Sequence, residues 1–187
     1  MSMAETETKP ARTIGQIVGA LAGKMTKDRQ GTGGMAQLRR MDPLGIPPPI
    51  FWKLLTDEFG AEPLPNNQET AWAIIIQSMA MMAPDGHRPK VPPGRVLADE
   101  GYPEGRFIRL LRAEGEGLAT EIRTLARWSA SKALAFDWAD LAALVLARAS
   151  RNPDWAEAQA IRLARPYFLA AGKKPGADTP VASGEEA

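Results

Sequence analysis

The chain contains no cysteine and a single histidine, His87. Without a thiol there is no disulfide framework, no zinc–cysteine site and no thiol chemistry. One imidazole rules out a histidine-rich metal site, and a Ser-His-Asp triad would have to be built on His87 alone. Aromatic residues make up only 6% of the sequence, so platforms on which bases could stack are few. Long apolar runs are missing as well. The longest uncharged stretch, residues 70–84, covers 15 residues, fewer than the roughly 20 that a bilayer-crossing helix needs. The stretch from Ile14 to Ala22 is interrupted by Gln16 and preceded by an acidic leader, unlike a secretory signal. The cytoplasm is therefore the expected location, and neither a cofactor nor a metal is expected.

What is present is an ordinary domain's worth of material. A chain of 187 residues with 44% hydrophobic residues buries roughly 70% of its unfolded surface, enough for a core without staples. Charge is almost balanced, with 23 basic against 22 acidic residues, but it is unevenly placed. Glu5, Glu7, Asp178, Glu185 and Glu186 make both ends acidic, which leaves the body with 23 basic against 17 acidic residues. Residues 1–12 and 172–187 have the composition of disordered termini.

Between them apolar residues recur at helical spacing and no β-branched run supports a strand, which predicts an all-α protein. Thr13 should cap a first helix with the stripe Ile14, Ile17, Val18, Leu21 and Met25, broken by Gly31 to Gly34. A second should carry Met35, Leu38 and Met41, and a third follows Pro49. From Asn66 or Asn67 runs the most hydrophobic helix, with Trp72, Ile75, Ile76, Met79 and Met82. The span 84–103, rich in proline and glycine, reads as a connector between an N-terminal helical part (13–83) and a C-terminal helix bundle (104–171). In that bundle Phe107, Leu110 and Leu111 mark one helix, and Leu118, Ile122, Leu125 and Trp128 the next. A helix capped by Asp137 follows, then one from Pro153 carrying Trp155, Ile161, Leu163 and Phe168, which Pro166 should kink or divide.

Few residues offer chemistry. Gly31-Thr32-Gly33-Gly34 lacks the Gly-Lys-Ser/Thr and the preceding strand of a nucleotide-binding loop. His87, in the connector beside Asp85 and Arg88, reads as exposed and idle. The pairs Asp137 with Asp140 and Glu114 with Glu116 fall at helix starts, where capping and the helix dipole account for them. Trp72, Trp128, Trp138 and Trp155 fall on apolar stripes and read as packing. The arginines are more informative. Arg106, Arg109 and Arg112 follow at three-residue intervals on one face, and Arg123 and Arg127 are a turn apart on the next helix. Lys24, Lys27, Arg29, Arg39 and Arg40 gather around Asp28 alone. These three groups read either as phosphate-binding patches or as solvated helix faces. A patch that bound nucleic acid would grip backbone and shape, not base sequence.

Two regions carry a family likeness. DRQGTGGMAQLRR (Asp28 to Arg40) resembles the Asp-Arg, glycine, Ala-x-Leu-Arg-Arg signature of the CasB family, the small subunit of the type I-E CRISPR surveillance complex, Cascade. The stretch from Arg106 to Leu141 is similar to that family's arginine-and-leucine helix pair followed by Asp-Trp and Leu. LARPYF (Leu163 to Phe168) is similar to its closing Ala-Arg-x-Tyr/Phe motif. The resemblance implies an all-helical, non-catalytic subunit present in two copies beside the other Cascade subunits. It also implies contacts with the backbones of guide RNA and target DNA and with the displaced strand, which help to stabilise the R-loop. Carried over by position, Arg29, Arg39, Arg40, Arg106, Arg109, Arg123 and Arg127 are the clamps it implies, and Trp138 and Leu141 are packing residues. A different class of function remains open from the residues alone, a helical protein–protein adaptor that never touches nucleic acid. An enzyme would need a catalytic group that the sequence does not offer.

Overall fold

The computed structural model describes residues 12–65 and 68–173. Among them it has nine helices and no strand: α1 (Ile14–Lys24), α2 (Lys27–Arg40), α3 (Pro49–Phe59), α4 (Gln68–Met82), α5 (Pro93–Asp99), α6 (Glu104–Arg112), α7 (Gly115–Ser131), α8 (Trp138–Ala149) and α9 (Pro153–Ala171). The fold is all-α, as the periodicity predicts. The expected disordered termini and the expected start at Asn66 or Asn67 lie outside the described residues, apart from Arg12, Gly172 and Lys173.

Helix α1 starts as its sequence dictates. Thr13 and Gln16 form a capping box, each side chain accepting from the other's backbone N–H at 3.3 and 2.9 Å, which satisfies donors that a helix start otherwise leaves open. Its stripe of Ile17, Val18, Leu21 and Met25 is buried. The glycine stretch does not end this helix, contrary to the expectation. α1 stops at Lys24, and the glycines lie inside α2, which bends where Gly31 takes φ 68°. That left-handed value is open to glycine without the steric cost a Cβ would bring. Beyond the bend, α2 buries Met35 and Leu38.

The centre of the core is α4. Every residue from 71 to 80 is buried, as expected for a helix apolar on all sides. It packs against α2 and α3 and also against α7 and α8. Its long polar side chain, Gln77, is answered by the Met41 carbonyl, to which Nε2 donates. Apolar residues from α1 to α9 join one contiguous cluster.

The span 84–103 carries α5, which packs extensively on α9. Pattern reading passes over it because a seven-residue helix opened by Pro92 and Pro93 has almost no period to detect. The segment ahead of α5 is stitched to the start of α8 by a few long-range bonds. The Arg88 N–H donates to the Phe136 carbonyl at 2.9 Å and the Asp137 N–H to the Val91 carbonyl at 2.8 Å. The Asp137 carboxylate accepts from the Lys90 N–H at 2.8 Å while capping α8 at the Ala139 N–H, 2.9 Å.

His87 belongs to this seam, so the reading of an exposed, idle histidine is corrected. Its side chain is 8% exposed, and Nδ1 accepts from the Trp138 N–H at 3.3 Å. Burial lowers its pKa below the usual histidine value, opposed by Asp137, 3.9 Å away, and by the Phe136 backbone. The folded chain thus holds fewer protons here than the unfolded chain, so this contribution to stability is complete above pH about 6.5 and is lost as pH falls below it. The urea midpoint should drop between pH 7.5 and 5.5 more steeply in the parent than in His87→Gln, and equal slopes would remove His87 as the cause.

One further expectation is narrowed in α9 and another is corrected. Pro166 does not divide the helix, which runs from Pro153 to Ala171, and the proline lacks one backbone donor. Leu163 and Tyr167 face the core, whereas Ile161 and Phe168 face outward, because they lie about a quarter-turn or more away from that inward stripe.

Candidate nucleic-acid interface

The ten basic residues singled out in the sequence fall into two regions that share no ion pair or hydrogen bond among the described residues. Helix α4, packed against both α2 and α7, connects them. The first region comprises the end of α1 and the length of α2. There Lys24 is engaged by Glu58 at 2.7 Å and Asp57 at 3.5 Å, and Glu58 also holds Arg12. Arg39 is half-buried and turned inward. Its Nε donates to the Ala80 carbonyl at 2.8 Å and one terminal nitrogen to the Ala83 carbonyl at 3.5 Å, so it closes the C-terminal end of α4, where carbonyls lack helical partners. Lys27, Arg29 and Arg40 are exposed and make no ion pair among the described residues.

The second region is the α6–α7 pair. Phe107 and Leu110 are buried while Arg106, Arg109 and Arg112 are exposed, which is the split that their spacing predicts. Arg109 reaches Glu121 at 3.4 Å and so ties α6 to α7. Arg106, Arg112, the half-buried Arg123 and the exposed Arg127 have no carboxylate partner among the described residues. Beneath this face lies Tyr102, whose hydroxyl is pushed up to about 12 by burial and by Glu121, against the pull of Arg106 and Arg109. It stays neutral at physiological pH and subtracts nothing from the positive face.

The expected carboxylate roles divide. Asp137 caps α8. Asp140 pairs with Arg162 at 3.0 Å, and burial raises its pKa against that arginine's influence. Glu114 makes no side-chain cap at α7. Instead it holds Arg148 at 2.9 Å, and Arg148 donates its other arm to the Leu111 carbonyl at 2.8 Å. Trp72 and Trp138 are buried, as predicted. Trp128 and Trp155 are only half-buried, and Lys132 sits over the Trp128 ring at 5.1 Å. Sequence reading named Arg88 only as a neighbour of His87 and passed over Lys90; both are exposed cations whose backbones the seam with α8 holds in place. Their signal, HRPK at residues 87–90, lay in a stretch read as connector.

Among the described residues no cluster of three His, Asp or Glu side chains could hold a metal ion, and no helix is long and apolar enough to cross a membrane. The geometry offers two sets of cations on helix faces and one buried imidazole committed to the backbone.

Comparison with known proteins gives the same direction. No individual curated protein and no solved structure matches the chain. The family model described as CRISPR-associated protein Cse2 matches residues 34–168. That span is well over half of the chain and takes in the end of α2, the α6–α7 pair and the closing LARPYF, while Lys24, Lys27 and Arg29 precede it. With the ordered motifs, the helical fold and this match in agreement, the chain belongs to the Cse2 (CasB) family, the small subunits of the type I-E CRISPR Cascade complex.

Proposed function

We propose that this subunit works without a catalytic group, holding the phosphate backbones of guide RNA, target DNA and the displaced strand on its two basic faces. The observation that carries the reading is the α6–α7 pair, on which Arg106, Arg112, Arg123 and Arg127 have no carboxylate partner among the described residues. Arginine suits the task because its planar fork engages two phosphate oxygens and keeps its charge at any physiological pH. Replacing a DNA duplex by a guide–target heteroduplex is a nearly balanced exchange, so a few backbone contacts are enough to tip it. The work is sequence-blind and needs neither metal nor cofactor, and its setting is the cytoplasm.

The other partners are protein. Ile46 and Trp52 near the start of α3, and Ile161, Phe168 and Leu169 on α9, are large apolar side chains left exposed. They support contacts with further Cascade subunits and with a second copy of this chain. The same exposed residues favour the adaptor reading, in which the cations are merely solvated.

Salt dependence separates the two readings. In the assembled complex, the combined Arg106→Ala, Arg112→Ala and Arg127→Ala substitutions should flatten the log–log salt slope of nucleic-acid binding by about 2 to 3, at roughly 0.7–0.9 per lost phosphate contact. The loss should be equal for scrambled and cognate sequences, and stability should change by less than about 0.5 kcal/mol per site. An unchanged slope and affinity would leave the adaptor reading standing. Arg39→Ala should behave differently. Its loss leaves α4 carbonyls unanswered and costs about 1.5–3 kcal/mol of folding free energy, the range for a hydrogen bond to a charged group, which chemical denaturation of the free subunit measures.

A further inference from the structure

A cleft of about 540 Å³ opens where the starts of α4, α7 and α9 meet the end of α8, at the edge of the α2–α3 loop. It belongs to neither basic face. Its walls are aliphatic, with Ala71, Ile74, Leu118, Val145 and Ala156 buried behind them, and Leu44 stands exposed as one lip. Among the described residues no aromatic ring lines it, so an extruded base would find nothing there to stack on.

The charged groups lining the cleft are Glu114, Arg148 and Arg151. Glu114 and Arg148 neutralise each other at 2.9 Å, and the Arg148 Nε is buried without a hydrogen-bond partner. Arg151 has no acidic partner among the described residues and is exposed. Its backbone holds φ 55° just past the C-cap of α8, a place where glycine is the usual residue because a side chain there is strained. α7 also begins at this cleft, but Glu116 in its first turn already answers its positive end, so Arg151 is the unmatched charge. An aliphatic cavity with one unmatched cation at its edge complements an aliphatic side chain that adjoins a carboxylate.

We propose that this cleft is the docking site for a segment of a partner Cascade subunit that presents such a pair, a leucine-like side chain next to an acidic one. The aliphatic group fills the cavity and the carboxylate meets Arg151. Family membership supplies the reason to expect protein neighbours, and the missing aromatic lining argues against a nucleotide. The proposal stands apart from the phosphate-clamp reading, because none of its residues is among the proposed clamps.

The test is reconstitution of the complex from its other subunits with parent, Arg151→Gly, Arg151→Glu or Leu44→Ser chains. Retention of the subunit is read by size exclusion across a salt series. Arg151→Gly and Leu44→Ser should each lower affinity for the rest of the complex about tenfold, and the charge reversal by more. Arg151→Gly should meanwhile melt no lower than the parent, because glycine relieves the left-handed backbone. That combination of weaker docking and an intact fold is one a purely structural role cannot give. Two readings on the free chains complete the experiment, binding to scrambled single-stranded DNA and the state of association. Parent-like retention of all three variants overturns the proposal. So does a loss seen only in DNA binding, which would make the cleft a nucleic-acid site. A loss seen only in self-association would make it a contact between copies and also overturns it.

Discussion

Gly94→Ala is expected to destabilise the protein by about 3 kcal/mol, the upper part of the range for atoms forced into a packed interior. Gly94 is buried in α5 where that helix crosses α9. A Cβ there would overlap the Leu163 carbonyl oxygen and lie 3.0 Å from the Tyr167 nitrogen. Both are backbone atoms of a long helix, so no side chain can swing aside, and the helices must separate. Tyr102, just after α5, is also tied to α9, where the Tyr167 hydroxyl donates to the Tyr102 carbonyl at 2.6 Å. Separation would therefore loosen the support of α6 and its arginines as well. Gly105→Ala is the internal control. It lies in α6 with nothing within 4 Å of the added methyl, and helix propensity alone should stabilise it by about 0.5–1 kcal/mol. Urea denaturation of the two variants should move the midpoint in opposite directions, and a Gly94→Ala protein as stable as the parent would show that α5 and α9 are not held as closely as described.

Trp72→Ala should cost about 3–5 kcal/mol, the usual loss for truncating a buried large aromatic. Trp72 is 1% exposed in the middle of the core and meets Phe59 at a ring separation of 5.2 Å, which fastens α3 to α4. Domains are stable by only about 5–15 kcal/mol, so the variant would keep a fraction of its margin and melt roughly 6–20 °C lower. Trp128→Ala should lose far less, since Trp128 is half-buried at the edge of α7. Comparable melting points for the two variants would contradict the central place given to α4.

Much of this was legible from residues alone because helices announce themselves. A buried face three and four residues apart, as in Ile17, Val18 and Leu21 or in Phe107 and Leu110, gives both the element and its orientation. So does a polar cap such as Thr13 or Asp137. What stayed hidden depends on contacts between residues far apart in sequence. α5 is too short to show a period, and His87 looks solvated until Phe136 and Trp138 fold against it. Ile161 and Phe168 are apolar yet face outward, because apolar character says that a surface prefers cover and not which neighbour gives it. The basic residues show the same division. Spacing placed Arg106, Arg109 and Arg112 on one outward face correctly. It could not separate Arg40, which makes no ion pair among the described residues, from Arg39 beside it, which is spent on carbonyls 41 and 44 residues away.

The all-round burial of α4 has a consequence for motion. Its peptide hydrogens are shielded by α2 and α3 as well as by α7 and α8, so fraying of any one neighbour does not bring water to them. They exchange with solvent only through openings that release several helices together, and such openings cost close to the full unfolding free energy. The exposed arginine faces can therefore shift and breathe while the helix between them keeps the slow clock of the whole molecule.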